Sequence, residues 1–140
     1  MSDSFVIHGP EAPESPVVLS VPHAGRDYPP ALRAALAVPI ALAAALEDRH
    51  ADTLALAARG AETLFVAQRA RAWIDLNRAE DERDPMVDEG VRGRVPPGNS
   101  KLRSGLGLIP RRAARAGSLW KRKFTDAEVQ ARIAVDHRPY

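Results

Sequence analysis

Residues 16–25, with the sequence PVVLSVPHAG, decide the fold class. The β-branched apolar run at 16–21 ends at Pro22 and is typical of a short buried strand. Residues 23–30 then contain a glycine and two prolines, which predicts a loop. His23 is therefore predicted to lie just beyond the carboxyl end of a strand. Ligands of open α/β sheets bind at that position, so His23 is a candidate functional residue.

The rest of the chain alternates between helical and strand patterns. A short helix is predicted over 31–36 after Pro30, and a longer one over 40–59, ending before the glycine at position 60. Further elements are predicted as strands at 63–67 and 72–76 and as a helix from a capping box at Thr125 to about Val135. This order of strand, helix, strand, strand and helix indicates an α/β fold.

Two segments lack a sustained period. Residues 1–16 are polar and contain prolines, which predicts an amino-terminal arm without regular structure. Residues 79–118 are charged and rich in glycine and proline. A segment of this length is too long for a simple connection between two elements of a compact domain, so we expect it to be either functional or disordered. The chain is predicted to form one domain over 1–140 with this long loop inside it.

Composition excludes several classes of protein. The chain has 140 residues, 45% of them apolar, which is enough to bury a core. It has no apolar run of the roughly 18–20 residues that span a bilayer, and it begins without the pattern of a secretory signal. The absence of cysteine excludes a disulfide framework, a thiolate metal site and a cysteine nucleophile. We therefore expect a cytoplasmic protein.

The charge is unevenly distributed along the chain. Residues 1–90 contain 15 acidic and 8 basic side chains, whereas residues 91–140 contain 3 acidic and 12 basic ones. Such a split can mark a nucleic-acid-binding tail. However, the basic half has few aromatic residues and no RNA-binding signature, so the sequence disfavours nucleic acid as a partner.

The acidic segment 47–52 contains four potential metal ligands in six residues. On a continuous helix, Asp48 and Asp52 share one face, while Glu47 and His50 form a Glu-x-x-His pair of the kind used in helical metal sites. The opposite, apolar face is predicted to be buried and comprises Leu42, Leu46, His50, Thr53, Leu54 and Ala57. This arrangement favours a packed histidine at position 50. The two aspartates either face a polar cleft or are solvated.

The segment 72–78, AWIDLNR, places Asp75, Asn77 and Arg78 at or just past the end of a predicted strand. An arginine there could bind a carboxylate through two parallel hydrogen bonds. Alternatively, Asp75 and Arg78 form an ion pair that closes the turn. For His23, the alternative is a loop histidine bonded to backbone, although the small neighbours Ala24 and Gly25 would leave room for an ion or a substrate.

These three motifs together resemble the N-formylglutamate amidohydrolase (N-formylglutamate deformylase) family. That family carries a Ser-x-Pro-His-Ser/Ala-Gly turn, then D-x-x-x-D on a helix, then V-D-L-N-R. The matching stretches here are 20–25, 48–52 and 75–78. The resemblance extends over about 14–140 and includes the later segments Gly105–Pro110, Leu119–Trp120, Ala131–Ile133 and His137–Tyr140.

The resemblance implies an α/β fold of the phosphorylase/hydrolase-like type, a three-layer sandwich related to the zinc carboxypeptidases, with only its amino-terminal part present. It implies a divalent metal, with zinc as the first choice, and a small N-formyl amino acid as substrate. The family roles would fall on His23 and Asp48 as metal ligands, on Asp52 and Asp75 as supporting residues, and on Arg71, Asn77 and Arg78 as substrate-binding residues.

Members of that family are longer than this chain. Their second half supplies a third metal ligand and a catalytic acid/base, which are therefore expected beyond Tyr140. The resemblance thus leaves two expectations open. The chain is either part of an enzyme that hydrolyses N-formyl-L-glutamate in histidine catabolism or an inactive fragment that acts as a binding or assembly module. A complementing chain would complete the site, and the apolar sheet edges that the missing half leaves exposed predict a homo-oligomer.

Overall fold

A computed structural model describes residues 3–114 and 116–140. At its centre is a three-stranded mixed sheet formed by β1 (Phe5–His8), β2 (Val18–Val21) and β3 (Thr63–Ala67). The strand order is β1-β3-β2, with β2 parallel and β1 antiparallel to β3. The predicted strand at 63–67 is confirmed with the same bounds, and the predicted strand at 16–21 is two residues shorter.

The predicted unstructured arm is wrong for residues 5–8. They form β1, with Phe5 opposite Ala67 and His8 opposite Leu64. The central strand β3 therefore has hydrogen-bonded neighbours on both sides. A four-residue strand whose two central side chains are exposed has no alternation that sequence patterning could detect.

The described residues form five short helices: α1 (Pro30–Ala35), α2 (Ile40–Ala43), α3 (Ala51–Ala58), α4 (Ser100–Arg103) and α5 (Asp126–Arg132). Of these helices, α3 packs against β2 and β3. A 3₁₀ turn over Ala44–Leu46 follows α2, and a π-helical turn over Ile133–His137 continues α5. The predicted capping box is present, because the backbone N–H of Glu128 donates to Thr125 Oγ1 and the backbone N–H of Thr125 donates to the Glu128 carboxylate. No helix within the described residues is long and apolar enough to cross a membrane.

The predicted continuous helix over 40–59 is wrong. It is interrupted at 47–50, where Glu47 is extended and His50 adopts a left-handed conformation with φ of 69°. The side chain of Glu47 is buried and accepts hydrogen bonds from Tyr28 and Arg49. These tertiary contacts outweigh the helical propensity of the alanine-rich flanks.

The break also removes the predicted apolar face. Leu46 is buried, but His50 is exposed, and Leu54 in α3 is 71% exposed. The interpretation of His50 as a packed histidine is therefore wrong. None of the residues of α3 is buried.

The predicted strand at 72–76 is a turn. Its apolar side chains Ala72 and Ile74 are buried as the alternating pattern requires, but the backbone bonds locally: Trp73 N–H donates to the Ala70 carbonyl. The amide of Asp75 donates to the Leu108 carbonyl, in the long loop. A tight turn can bury alternate side chains as a strand does, so the alternating apolar pattern did not distinguish the two.

The long segment 79–118 is an ordered part of the core over the residues described. Four of its apolar side chains belong to the same buried cluster as side chains of α1, α5 and the 72–76 turn, namely Val87, Leu108, Ile109 and Ala113. Leu102 is also buried. Two buried aspartates are also neutralised there, Asp84 by Arg111 and Asp88 by Arg83. These buried contacts argue against the disordered alternative for the described residues of this segment.

Apolar side chains remain exposed on and around the sheet. Val17 and Val18 at β2 are 50% and 58% exposed, and Ile7 of β1 is 51% exposed. β2 has a single neighbouring strand among the described residues, so its other edge is open. Open edges and exposed apolar side chains are features that proteins normally cover.

Candidate active site

His23 lies two residues after the end of β2, at the position predicted from the sequence. The residue is buried, with 8% of its surface exposed. Its Nε2 atom lies 2.7 Å from Asp75 Oδ1, and its Nδ1 atom lies 3.4 Å from Asp48 Oδ2. Both ring nitrogens therefore face carboxylates, so the side chain is not a loop histidine bonded to backbone.

Asp48 reaches the imidazole from the interruption between the 3₁₀ turn and α3. Its backbone N–H donates to the His23 carbonyl at 2.9 Å, which fixes the two segments side by side. The Asp48 side chain is 61% exposed, whereas that of His23 is 10% exposed. The carboxylate thus lies at the outer edge of the site, between the imidazole and solvent.

Asp52 is placed away from this pair. It lies in the first turn of α3 and its Oδ1 atom is 3.1 Å from Arg26 Nη2. The two residues line a small cavity of about 220 Å³ beside Gly25. The structure therefore brings Asp48 to His23 and Asp52 to Arg26.

Gly25 lines the small cavity beside Asp52, but the side on which a Cβ atom would project is filled by backbone. A Cβ atom at this position would lie 1.9 Å from the Arg69 carbonyl oxygen. The loop passes directly over the end of β3, where the Asp27 N–H donates to the Gln68 carbonyl at 2.9 Å. Glycine is required because two backbone segments approach each other closely here.

Asp75 is the centre of the polar network. It is completely buried, and its Oδ1 atom contacts His23 Nε2 and accepts a hydrogen bond from the Asn77 backbone N–H at 2.9 Å. Its Oδ2 atom accepts a hydrogen bond from Arg71 Nε at 2.8 Å. Sequence alone left open an ion pair with Arg78, but the hydrogen-bonded arginine is Arg71, four residues before Asp75 in the chain.

The charge of Asp75 determines which ring nitrogen of His23 carries a proton. Burial raises the pKa of the Asp75 carboxyl, but the hydrogen bond and charge of His23, the charge of Arg71 and the Asn77 N–H outweigh it and hold the pKa below its usual range. An ionised carboxylate can only accept hydrogen bonds, so Nε2 of His23 carries a proton. In a neutral ring, Nδ1 then presents its lone pair towards Asp48.

Arg78 lies in the same network without a hydrogen bond at Nε. That atom is buried and has no hydrogen-bond partner among the described residues; it lies 3.9 Å from Asp75 Oδ2. The Nη1 atom is 3.7 Å from Glu82 Oε1. Asn77 contributes its backbone to Asp75 and leaves its side chain exposed. Arg78 is thus held beside the network with unused hydrogen-bonding capacity.

Sequence reasoning missed two residues that hold Arg78. His137 Nε2 lies 2.7 Å from the Arg78 carbonyl oxygen, and Glu82 approaches the guanidinium. Glu82 is four residues after Arg78, a spacing that an ion-pair search could have found. His137 is 59 residues away in sequence, and no local pattern connects it to Arg78.

The His23–Asp48 pair fits two ligands of a divalent metal. Two ligands about 2.0–2.1 Å from a tetrahedral zinc ion lie about 3.3 Å apart, close to the observed 3.4 Å. A lone pair on Nδ1 facing a carboxylate oxygen is unfavourable, and either a proton or a metal ion between the two atoms relieves the repulsion. No cluster of three or more His, Cys, Asp or Glu side chains suited to a metal occurs in the described part of the chain. Within the described residues, the group whose spacing fits a metal is therefore a pair.

Comparisons with known proteins identify a family and a solved structure that this chain resembles. The sequence model of the N-formylglutamate amidohydrolase family matches residues 15–140. A crystal structure of N-formylglutamate amidohydrolase from Ralstonia eutropha JMP134 superposes with a TM-score of 0.84 at 36% sequence identity. The alignment covers 99% of this chain and 49% of that one, so this chain spans about half the length of the solved relative. No curated protein matches the sequence.

The family match covers most of the chain. The solved relative has the same fold over nearly all of this chain, and 36% of the aligned residues are identical. Within that match lie His23, Asp48 and the 75–78 segment, which the structure gathers into one polar network. The chain belongs to the N-formylglutamate amidohydrolase family.

Proposed function

We propose that this chain forms the amino-terminal half of a metal-dependent amidohydrolase site. The reaction would be hydrolysis of the formyl amide bond of N-formyl-L-glutamate, or of a related N-formyl or N-acyl amino acid, to formate and the free amino acid. Such a reaction would belong to histidine catabolism in the cytoplasm. The observation that carries the proposal is the His23 imidazole, with Nε2 held by buried Asp75 and Nδ1 facing Asp48 at 3.4 Å.

His23 and Asp48 would hold the metal, with zinc as the first choice among divalent ions. A divalent ion bound there would polarise the formyl carbonyl and lower the pKa of a bound water. Asp75 would orient the imidazole, because a carboxylate on the far ring nitrogen fixes both the tautomer and the ring plane of a metal-binding histidine. Asp52, paired with Arg26, would support the loop that carries His23.

Arg71, Asn77 and Arg78 would bind the substrate's carboxylates. Arg71 is hydrogen-bonded to Asp75 through Nε, which orients its terminal nitrogens, and Arg78 Nε has no hydrogen bond within the described residues. A buried donor without a partner is costly, and a substrate carboxylate would satisfy it. This unused capacity supports substrate binding by Arg78 over a purely structural ion pair.

The site needs groups that the described residues do not supply. Catalytic zinc sites normally have three protein ligands, and only two are gathered here within residues 3–114 and 116–140. We propose that a segment equivalent to the relative's remaining length supplies the third ligand and the acid/base. It would also complete the three-layer sandwich and cover the exposed apolar residues at β1 and β2.

Those exposed residues support a second candidate function. Val17, Val18, Ile7 and Leu54 are each at least half exposed, which also suits an inactive module that assembles with a copy of itself or with a complementing chain. Sedimentation distinguishes the two roles. An oligomer that releases no formate with any metal favours assembly, whereas formate release after a complementing segment is added favours the enzyme.

The direct test is formate release from N-formyl-L-glutamate with added zinc, manganese or cobalt. The chain would be assayed together with a complementing segment that has the sequence of the relative's other half. We expect turnover that a chelator abolishes and that the His23→Ala change abolishes. The control is His50→Asn, which removes an exposed imidazole and keeps a residue that tolerates the left-handed conformation. Turnover that survives chelation or loss of His23 would contradict the proposed metal role.

A further inference from the structure

A second cavity lies between α1 and α5, apart from the His23 network. Its volume is about 580 Å³, within the range of small-molecule pockets. Small or apolar side chains form most of its wall and include Ala31, Ala34, Ala35, Phe124, Ala131 and Val135. None of the proposed metal-binding or substrate-binding residues lines it.

Arg132 gives this cavity an unusual charge. The residue is 4% exposed, and its guanidinium carbon lies 3.8 Å from the Trp73 ring centroid and 4.1 Å from that of Phe124. Its Nη1 atom donates to the Trp73 carbonyl at 3.0 Å. Within the described part of the chain, this guanidinium has no other hydrogen bond and no carboxylate within ion-pair distance. A buried cation is normally paired, so Arg132 lacks the partner that such groups require.

The other charged groups of the cavity already have partners. Arg122 forms two hydrogen bonds with the Glu128 carboxylate, at 2.6 and 2.9 Å. Asp136 accepts a hydrogen bond from Trp73 Nε1 at 2.7 Å and pairs with Arg69. Burial lowers the pKa of Arg132 to about 10, so it still carries its charge at neutral pH. The charges of Glu128, Asp136 and Asp88 partly offset the effect of burial on this pKa, but among the described residues none of these carboxylates lies within ion-pair distance of the Arg132 guanidinium.

We propose that this cavity binds a small monocarboxylate with an apolar body. The carboxylate would accept hydrogen bonds from the unused N–H groups of Arg132, which lines the cavity. The apolar body would lie against the alanines of α1 and α5, where a side chain larger than alanine would fill the space. The proposal concerns a separate site and does not depend on the proposed hydrolase function.

Calorimetric titration of the 140-residue chain with phenylacetate tests the proposal. We expect saturable binding of one molecule per chain. Phenylacetamide has nearly the same shape without the charge and should bind at least tenfold more weakly, a difference of about 1.4 kcal/mol. Equal affinity for the acid and the amide, or no saturable binding of phenylacetate, would overturn the proposal.

A matched pair of variants on α5 locates the binding. Ala131→Leu places a larger side chain in the cavity and should abolish phenylacetate binding, whereas Ala127→Leu makes the same change at an exposed position outside the cavity and should leave binding unchanged. Arg132→Met should reduce affinity for phenylacetate to that for phenylacetamide. If Arg132→Met does not fold, the Ala131→Leu result decides. Binding that survives Ala131→Leu would contradict this location.

Discussion

Replacing Asp75 by asparagine tests whether the polar network depends on a buried negative charge. Asp75 is completely buried and contacts His23 Nε2, Arg71 Nε and the Asn77 backbone N–H. Asparagine has nearly the same shape but only one accepting oxygen. If that oxygen keeps the contacts with His23 and Asn77, the amide NH₂ must face the donor of Arg71.

The expected cost follows from these contacts. Removing one partner of a buried ion pair costs about 3–5 kcal/mol, because it leaves the other charge uncompensated. The Arg71 side chain retains 14% exposure and can be partly hydrated, so we expect the lower end of that range, about 3 kcal/mol. Urea unfolding of both proteins at pH 7 measures this difference in the free energy of unfolding.

The difference in the free energy of unfolding between wild type and Asp75→Asn should depend on pH. The folded-state pKa of Asp75 is below its unfolded value of about 3.9, so the stabilisation is fully present above that pH. It is lost as the pH falls through the lower, folded-state pKa. The difference between wild type and Asp75→Asn should therefore be constant from pH 7 to about pH 4 and shrink below it.

Asp81→Asn is the control. It makes the same chemical change at an exposed position six residues after Asp75. Surface changes of this kind stay within about 0.5 kcal/mol. A loss of less than about 1 kcal/mol for Asp75→Asn, or an equal loss in the control, would refute the central place of Asp75.

Three further changes test other parts of the structure. Gly25→Ala should destabilise the fold by at least about 1–3 kcal/mol in thermal or urea unfolding, because the added Cβ atom would meet backbone. Gly117 has open space around it, so Gly117→Ala should not destabilise the fold. Thr125→Ala should cost about 1 kcal/mol by removing the cap of α5, and unchanged stability would contradict the capping-box assignment. Arg78→Lys should weaken binding of N-formyl-L-glutamate to the complemented protein by about 1.5–3 kcal/mol while changing the free energy of unfolding little, and the reverse pattern would favour a structural role.

The elements that the sequence predicted correctly are those whose signals are local. The strand Thr63–Ala67 is apolar and bounded by polar residues, and the capping box at Thr125 needs only residues three apart. The position of His23 after β2 also followed from a strand pattern that ends in proline and glycine. Each of these signals spans about ten residues or fewer, so tertiary contacts had little opportunity to override them.

The errors concern segments whose conformation depends on distant partners. Glu47 leaves the helix because it bonds Tyr28, and Asp48 is fixed by the His23 carbonyl. Asp75 ends a turn and not a strand, with its amide bonded to Leu108 in a loop more than 30 residues away. No local pattern contains these partners, so a continuous helix and an extra strand were the expected interpretations.

The proximity of His23 and Asp48 was predicted from the sequence, whereas the contacts that Asp75 makes were not. The resemblance to a family pointed to His23, Asp48, Asp75 and Arg78, and the structure gathers all four. Patterning alone could not show that Asp75 connects the others, because its contacts come from residues 52 positions earlier and four positions earlier in the chain.

Zinc binding by the isolated chain tests the central claim most directly. The claim is that His23 and Asp48 form two ligands of a metal site, with their facing atoms 3.4 Å apart. Calorimetric titration should show one zinc ion bound per chain, with affinity at least tenfold lower in His23→Ala and in Asp48→Asn. His50→Asn should bind zinc as the wild type does. Equal zinc affinity in the wild type and in both ligand variants would contradict the claim.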